Sequence, residues 1–218
     1  GKSKETLSER DDAALKAGLG NLMKHVENIV NVYSRKCVVA INRFASDEDG
    51  EIELVEKACS ERGVEAVCVN VWGEGGKGGL KLAEKVKELC AQPDKPFTYC
   101  YELSDGIEEK INAVATKIYG ADGVEYEPAA VEMLKKIKGT EWEKYPVCIA
   151  KTQYSLSDNP ELLGRPSGFK IRIRDLTVRA GAEFIVALAG NILLMPGLSK
   201  YPNAEKMKID GNKIEGLF

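Results

Sequence analysis

The chain carries a single histidine, His25, and no two cysteines in a CxxC spacing. That excludes a Cys/His zinc pattern and leaves a Ser/His/Asp triad with nothing behind it but one imidazole. No apolar run approaches the roughly 18 residues that a membrane span needs. The opening GKSKETLSERDD is polar and has no signal-peptide hydrophobic stretch. Net charge is only −3 over 218 residues, so the surface is not built to coat nucleic acid or an anionic membrane. No GxxxxGK[ST] segment occurs, because Lys77 falls inside its glycines and not after them, so a Walker-type phosphate cradle is absent. Internal repeats and low-complexity segments are lacking too.

What is there is ordinary globular composition, 44% hydrophobic and 30% charged, in a chain long enough for a real core. The six cysteines are Cys37, Cys59, Cys68, Cys90, Cys100 and Cys148. They fall in strand-like segments or on apolar helix faces and are expected to be buried, reduced thiols of a cytoplasmic protein. The first residue is Gly1, which is expected of a processed or tagged chain or a piece of a longer one.

Leu15, Leu19, Leu22, Met23, Val26, Ile29 and Val30 recur at helical spacing, with Ser8 and Asp11 as a capping pair and His25 beside the apolar stripe as a structural histidine. KCVVAIN predicts a buried strand. Ser46 is expected to cap the next helix, which turns Ile52, Val55, Ala58 and Cys59 inward and stops at Gly63. EAVCVNVW predicts a second strand, GEGGKGG a loop, and Leu80, Ala83, Val86, Leu89 and Cys90 the inner face of a helix. FTYCYEL predicts a third strand, and Ile107, Ile111, Val114 and Ile118 a helix opened by Ser104 and Glu108 and ended by Gly120. This alternation is that of a parallel sheet with right-handed crossovers.

Beyond it, Pro128 to Ile137 predicts a short helix, YPVCIAKT a strand, and QYSLSDNPELLGRPSG a long polar loop. FKIRIRDLTV reads as a half-exposed strand, AEFIVALAG as a buried one, and the remainder as a tail punctuated by proline and glycine. The expected fold is α/β: a connecting helix over residues 1–33, a Rossmann-like unit with a parallel sheet over 34–120, and a smaller α+β region over 121–218.

Gly73, Gly75, Gly76 and Gly78 lie between a predicted strand and a predicted helix and match GxGxxG, with Glu102 downstream as a candidate ribose acid. A dinucleotide fingerprint normally opens the first βα unit, and this is the second. The other reading is a glycine loop that covers or walls a ligand pocket. Phe44 and Trp72 close the two neighbouring strands, so both project at the carboxyl edge of the sheet, where open α/β sheets bind ligands. Two aromatic rings there suit a flat heterocycle; Phe44 as plain core is the alternative. Asp47 and Asp49 are explained by capping. Arg165, Lys170, Arg172, Arg174 and Arg179 read first as a solvated face and second as a recognition site for carboxylates.

The segments NLMKHVENI, VVAINRF, IELVEKAC, GGKGGLKLAEKV, IEEKINAVATKIYGADGVEYEPAA, PVCIAKTQYSLSDNPELLGRPSGF, AGAEFIVALAGNILLMPGL and the terminal IEGLF together resemble formate–tetrahydrofolate ligase, in order and over nearly the whole chain. The resemblance implies an ATP-dependent ligase that makes 10-formyltetrahydrofolate from formate and tetrahydrofolate through formyl phosphate. It implies that Phe44 and Trp72 hold the folate ring, with the glycine segment flanking the pocket. It also implies that Mg-ATP is handled by an N-terminal P-loop portion, that this chain corresponds to the C-terminal portion, holds no catalytic residue and no metal, and is inactive alone, and that the enzyme is a homo-oligomer. Ala45 stands where the family usually has proline, and Ser199 and Asn203 where proline and alanine are usual, which loosens the expected turn geometry at both places. A non-catalytic binding or assembly module and a dinucleotide-binding domain are the alternatives.

Overall fold

In the computed structural model the described residues are 6, 9–190, 192, 200–211 and 213–215. Ser8, Ser199 and the closing residues 216–218, on which expectations above rest, lie outside them. The Asp11 carboxylate accepts from the N–H groups of Ala13 and Ala14 and so satisfies donors that a helix start leaves open. Helix α1 runs Asp12–Glu27 and continues through a π-helical turn, Asn28–Val32. Met23 and Val26 are buried, whereas Ile29, Val30 and His25 are exposed.

Strand β1 (Val38–Asn42) pairs in parallel with β2 (Glu65–Val69), with Val38 opposite Glu65 and Asn42 opposite Val69. Helix α2 (Asp49–Ser60) makes the crossover and is followed by Gly63, whose φ of 70° calls for glycine. Ser46 does not cap α2: the residue before it is Glu48, and no side chain caps it. After β2 come a short helix α3 (Val71–Glu74), a 3₁₀ turn (Gly75–Gly79) and helix α4 (Leu80–Ala91). The fold class is α/β, as expected from the alternation.

The third parallel strand does not form, and this sheet has two strands only. In residues 97–103 two backbone groups and one side chain are bonded elsewhere. Thr98 N–H donates to Tyr33 O (3.3 Å), Lys117 Nζ takes Cys100 O (2.7 Å), and Cys100 Sγ reaches Ala113 O (3.4 Å). The segment is thereby drawn toward the following helix and not along β1. As a result β1 is half-exposed where a buried strand was expected, and no residue of α4 is buried. Leu80, Val86 and Cys90 face solvent because two strands give a helix too narrow a platform.

The second half is built differently. Helix α5 (Ile107–Ala113) also passes into a π-helical turn (Val114–Tyr119) and stops at Gly120, φ 76°. Strands β3 (Val124–Tyr126), β4 (Val147–Ala150), β5 (Ile171–Arg179) and β6 (Phe184–Ala189), with α6 (Pro128–Ile137) between β3 and β4, form a sheet in the order β3-β5-β6-β4. The β3–β5 and β4–β6 pairs are parallel and β5–β6 is antiparallel, with a register shift between Ile173 and Asp175. That irregularity lets Ile173 and Leu176 both reach a core with Ile107, Ile111, Ile137, Ile171 and Ile185. In the tail, expected to be irregular, Lys208–Asp210 (β7) and Lys213–Glu215 (β8) pair as a hairpin. Cys59 and Cys100 are buried, but Cys90 on α4 and Cys148 on edge strand β4 are exposed, contrary to expectation. Among the described residues, no helix is long and apolar enough to cross a membrane.

The two halves are tied by polar cross-links. Lys24 Nζ donates to Lys117 O (2.7 Å) and Asn28 Nδ2 to Ile118 O (2.9 Å), so α1 is fastened to the π-helical end of α5. Arg165 grips Glu27 with both guanidinium nitrogens, at 2.9 and 2.6 Å. The Arg165 hydrogen bonds hold the Glu27 carboxyl below its ordinary range, aided by Arg62 and Lys24, with burial opposing. A lowered carboxylate pKa stabilises the fold above the unfolded value and is lost as pH falls through the folded one. Arg165→Ala should therefore unfold at lower denaturant than the parent at neutral pH. The gap should close on acidification below about pH 4.3, the unfolded glutamate value, in urea titrations across that range.

Candidate functional site

The carboxyl edge of the β1–β2 pair is where the sequence placed its candidate residues. The ladder runs one step past β1, with Arg43 N–H donating to Val69 O (3.0 Å). The chain then turns. Phe44 N–H donates to Asp47 Oδ2 (2.8 Å) and Asp47 N–H to Phe44 O (3.1 Å), which closes a short turn. Arg43 Nη2 pairs with Asp49 Oδ1 (2.8 Å). Asp47 and Asp49 thus hold this turn instead of capping the helix. The Phe44 ring stands outside the turn, 64% exposed, and is not core.

Trp72 does not end β2. It sits in α3, 78% exposed. The residue that puts it there is Asn70, which the sequence reading passed over. Its Oδ1 accepts from Gly73 N–H (3.1 Å), its Nδ2 donates to Glu74 Oε1 (3.1 Å), and its N–H donates to Gly78 O (3.2 Å). An asparagine directly after a strand, followed three residues on by glycine, was the available signal for an N-cap. The expected glycine loop is therefore two helical turns folded back on Asn70. Gly75 has φ 60°. A Cβ at Gly78 would stand 2.2 Å from Asn70 O, and one at Gly73 would stand 2.8 Å from Asn70 Oδ1. A Cβ at Gly76 would meet nothing. Gly73 and Gly78 thus serve the packing of their own turn, and Gly75 its backbone conformation. They do not make the single tight strand-to-helix turn of a dinucleotide fingerprint.

Phe44 and Trp72 thus follow the carboxyl ends of paired strands, each on its own hydrogen-bonded turn, and both present bare rings to solvent. Among the described residues neither belongs to an aromatic pair, in contrast to Tyr33, Phe97 and Tyr99. In the basic stretch Lys170, Arg172 and Arg174 alternate with the buried Ile171 and Ile173 on one face of β5, Lys170 pairs with Glu125 (3.4 Å), and Arg165, off this strand, is paired with Glu27.

A parallel strand pair joined by a crossover helix, beside a mixed sheet, defines an α/β protein. The model of the formate–tetrahydrofolate ligase family matches residues 1–218. The chain belongs to that family, ligases of one-carbon metabolism that use formate, folate and ATP.

Gly78→Ala should break the turn around Asn70 and change the exposure of Trp72, whereas Gly76→Ala should leave it alone. With Trp142→Phe as background, the acrylamide quenching and emission maximum of Trp72 should move in the first variant and match the parent in the second.

Proposed function

We propose that this chain supplies the folate-binding part of formate–tetrahydrofolate ligase. In the reaction a formate oxygen attacks the terminal phosphorus of ATP and ADP leaves. The N10 amine of tetrahydrofolate then attacks the formyl carbon, phosphate leaves, and the nitrogen loses its proton. The contribution of these residues is to seat the pterin so that N10 meets the reactive formyl group, which lowers the barrier by positioning.

The observation that carries the reading is the pair of exposed rings, Phe44 and Trp72, on the turns that follow two adjacent parallel strands. A flat pterin stacked between or against them would gain contact area and aromatic stacking. The sequence has no Walker-type loop, and among the described residues no group of three His, Cys, Asp or Glu is placed to hold a metal. We assign ATP and formyl phosphate to a P-loop portion outside these 218 residues, and no catalytic residue to this chain.

Tetrahydrofolate titrated into the Trp142→Phe chain should quench Trp72 in a saturable way. Phe44→Ala should weaken binding about tenfold, the size of one lost aromatic stack. NAD should give no response. Absence of a folate response from a chain shown to be folded would sink this assignment, and a response to NAD in its place would favour a dinucleotide site.

A further inference from the structure

A second recess, which shares no lining residue with the Phe44–Trp72 edge, lies between Tyr33, the 97–103 segment, the π-helical turn after α5 and the start of β4. It is a cavity of about 800 Å³, within the size range of ligand pockets. Tyr33, Phe97, Tyr99, Leu103 and Tyr119 form most of its wall, and Val114 and Ile118, from the π-helical turn after α5, line it as well. Tyr33 and Phe97 stack with centroids 5.5 Å apart at 14°, and Tyr99 stands edge-on to Phe97 at 4.9 Å. Tyr99 is 71% exposed, so an aromatic face is left open.

This wall is braced. Tyr101 Oη accepts from Val147 N–H (2.9 Å) and donates to Val147 O (3.4 Å). Together with the Lys117 bond to Cys100 O and the Thr98 bond to Tyr33 O, it fixes residues 98–101 at both ends. π-Helical turns of this kind are frequent at functional sites.

The charge around the cavity narrows what could enter. Among the described residues the formally charged one lining it is Glu102, whose N–H is bonded to Asp105 Oδ2 (2.9 Å), so a second carboxylate stands close by. The nearby cations do not line it. Lys117 is spent on Cys100 O; Arg35, paired with Asp94, lies over the Phe97 ring (5.2 Å), and Lys151, bonded to the carbonyls of Thr152 and Ser155, lies over the Tyr119 ring (4.9 Å), so those two ring faces are taken. The hydroxyls of Tyr33, Tyr99 and Tyr119 make no hydrogen bond among the described residues. Burial pushes the Tyr33 and Tyr119 phenols up, so both stay neutral. The ring face left open is that of Tyr99, and the charge lining the same cavity is the Glu102 carboxylate. A flat ring with N–H groups would find that face, phenol oxygens and a carboxylate.

We propose that this cavity is a second binding site, distinct from the Phe44–Trp72 edge, for a flat fused-ring heteroaromatic amine, protonated or neutral. It does not depend on the folate assignment. The probe is 9-aminoacridine, a cationic fused-ring amine, titrated by its own fluorescence against the whole 218-residue chain; the anionic dye ANS is the comparison. The expected result is saturable one-site binding of 9-aminoacridine, with ANS at least about tenfold weaker. Tyr99→Ala should weaken the probe about tenfold and Glu102→Gln severalfold, the range of desolvated cation–π and carboxylate contacts. Trp72→Ala should bind it as the parent does. Tyr99 and Glu102 are both exposed, so neither change should disturb folding, which thermal melts check; if Tyr99→Ala fails to fold, Glu102→Gln carries the test. Equal binding of ANS would overturn the proposal and mark an apolar face of the kind a protein partner covers. Loss of binding in Trp72→Ala would place the probe at the folate edge and overturn it as well, as would indifference to both Tyr99→Ala and Glu102→Gln.

Discussion

A parallel ladder only two strands wide governs the first half of this protein. Parallel strands are normally covered on both faces by crossover helices. Here the platform is too narrow to bury what lies on it. Helix α4 therefore lies against the sheet with its leucine and valine side chains open, and β1 keeps exposed residues within its own span. Stability has to come from cross-links where hydrophobic area is short. Lys36 Nζ reaches Leu89 O (3.0 Å) and Gln92 O (2.7 Å) and pins the end of α4, and Arg35 pairs with Asp94 in the following turn. The Lys24 and Asn28 bonds to α5 anchor the unit to its neighbour. The same shortage leaves the rings that follow the strand ends open to solvent.

The neighbouring half is the rigid partner. Its sheet and α5–α6 bury a continuous aliphatic core, deep enough to enclose Lys110 completely. A buried ammonium is costly unless its donors are used. Lys110 spends them on Glu143 O (2.7 Å) and Tyr145 O (3.1 Å), fastening α5 to the turn before β4. That turn, with Tyr101 on Val147, is the far wall of the aromatic cavity. The core thus reaches the surface features through a short series of hydrogen-bonded lysines and tyrosines, and those features inherit its order.

Much of this was legible from residue pattern. The helix stripes around Met23, Ile52 and Ile111, the stops at Gly63 and Gly120, and the alternation from Ile171 onward depend on local periodicity and backbone preference. So does the placement of Phe44 after β1. Other features were not legible, each for a reason that can be named. FTYCYEL has strand composition, but its hydrogen-bonding groups are claimed by Tyr33, Lys117 and Ala113, distant in the chain or in another element. The glycine segment resembles a loop until Asn70 is seen to cap it. Cys90 lies on an apolar stripe, yet there is no surface for that stripe to cover. Tertiary competition outranked propensity in each case.

By itself the sequence determined the α/β class, the order of most elements, the carboxyl edge as the place for Phe44 and Trp72, and kinship with a folate-using ligase. These follow from period, turn chemistry and motif, which are local in the chain. Only the tertiary structure decided that the first sheet stops at two strands, that Asn70 presents Trp72 on a helical turn, and that five aromatic side chains from distant segments gather around one cavity with a carboxylate at its wall. Those outcomes depend on which partner captures a backbone carbonyl or a ring face, and that competition is settled in space between residues far apart in the chain.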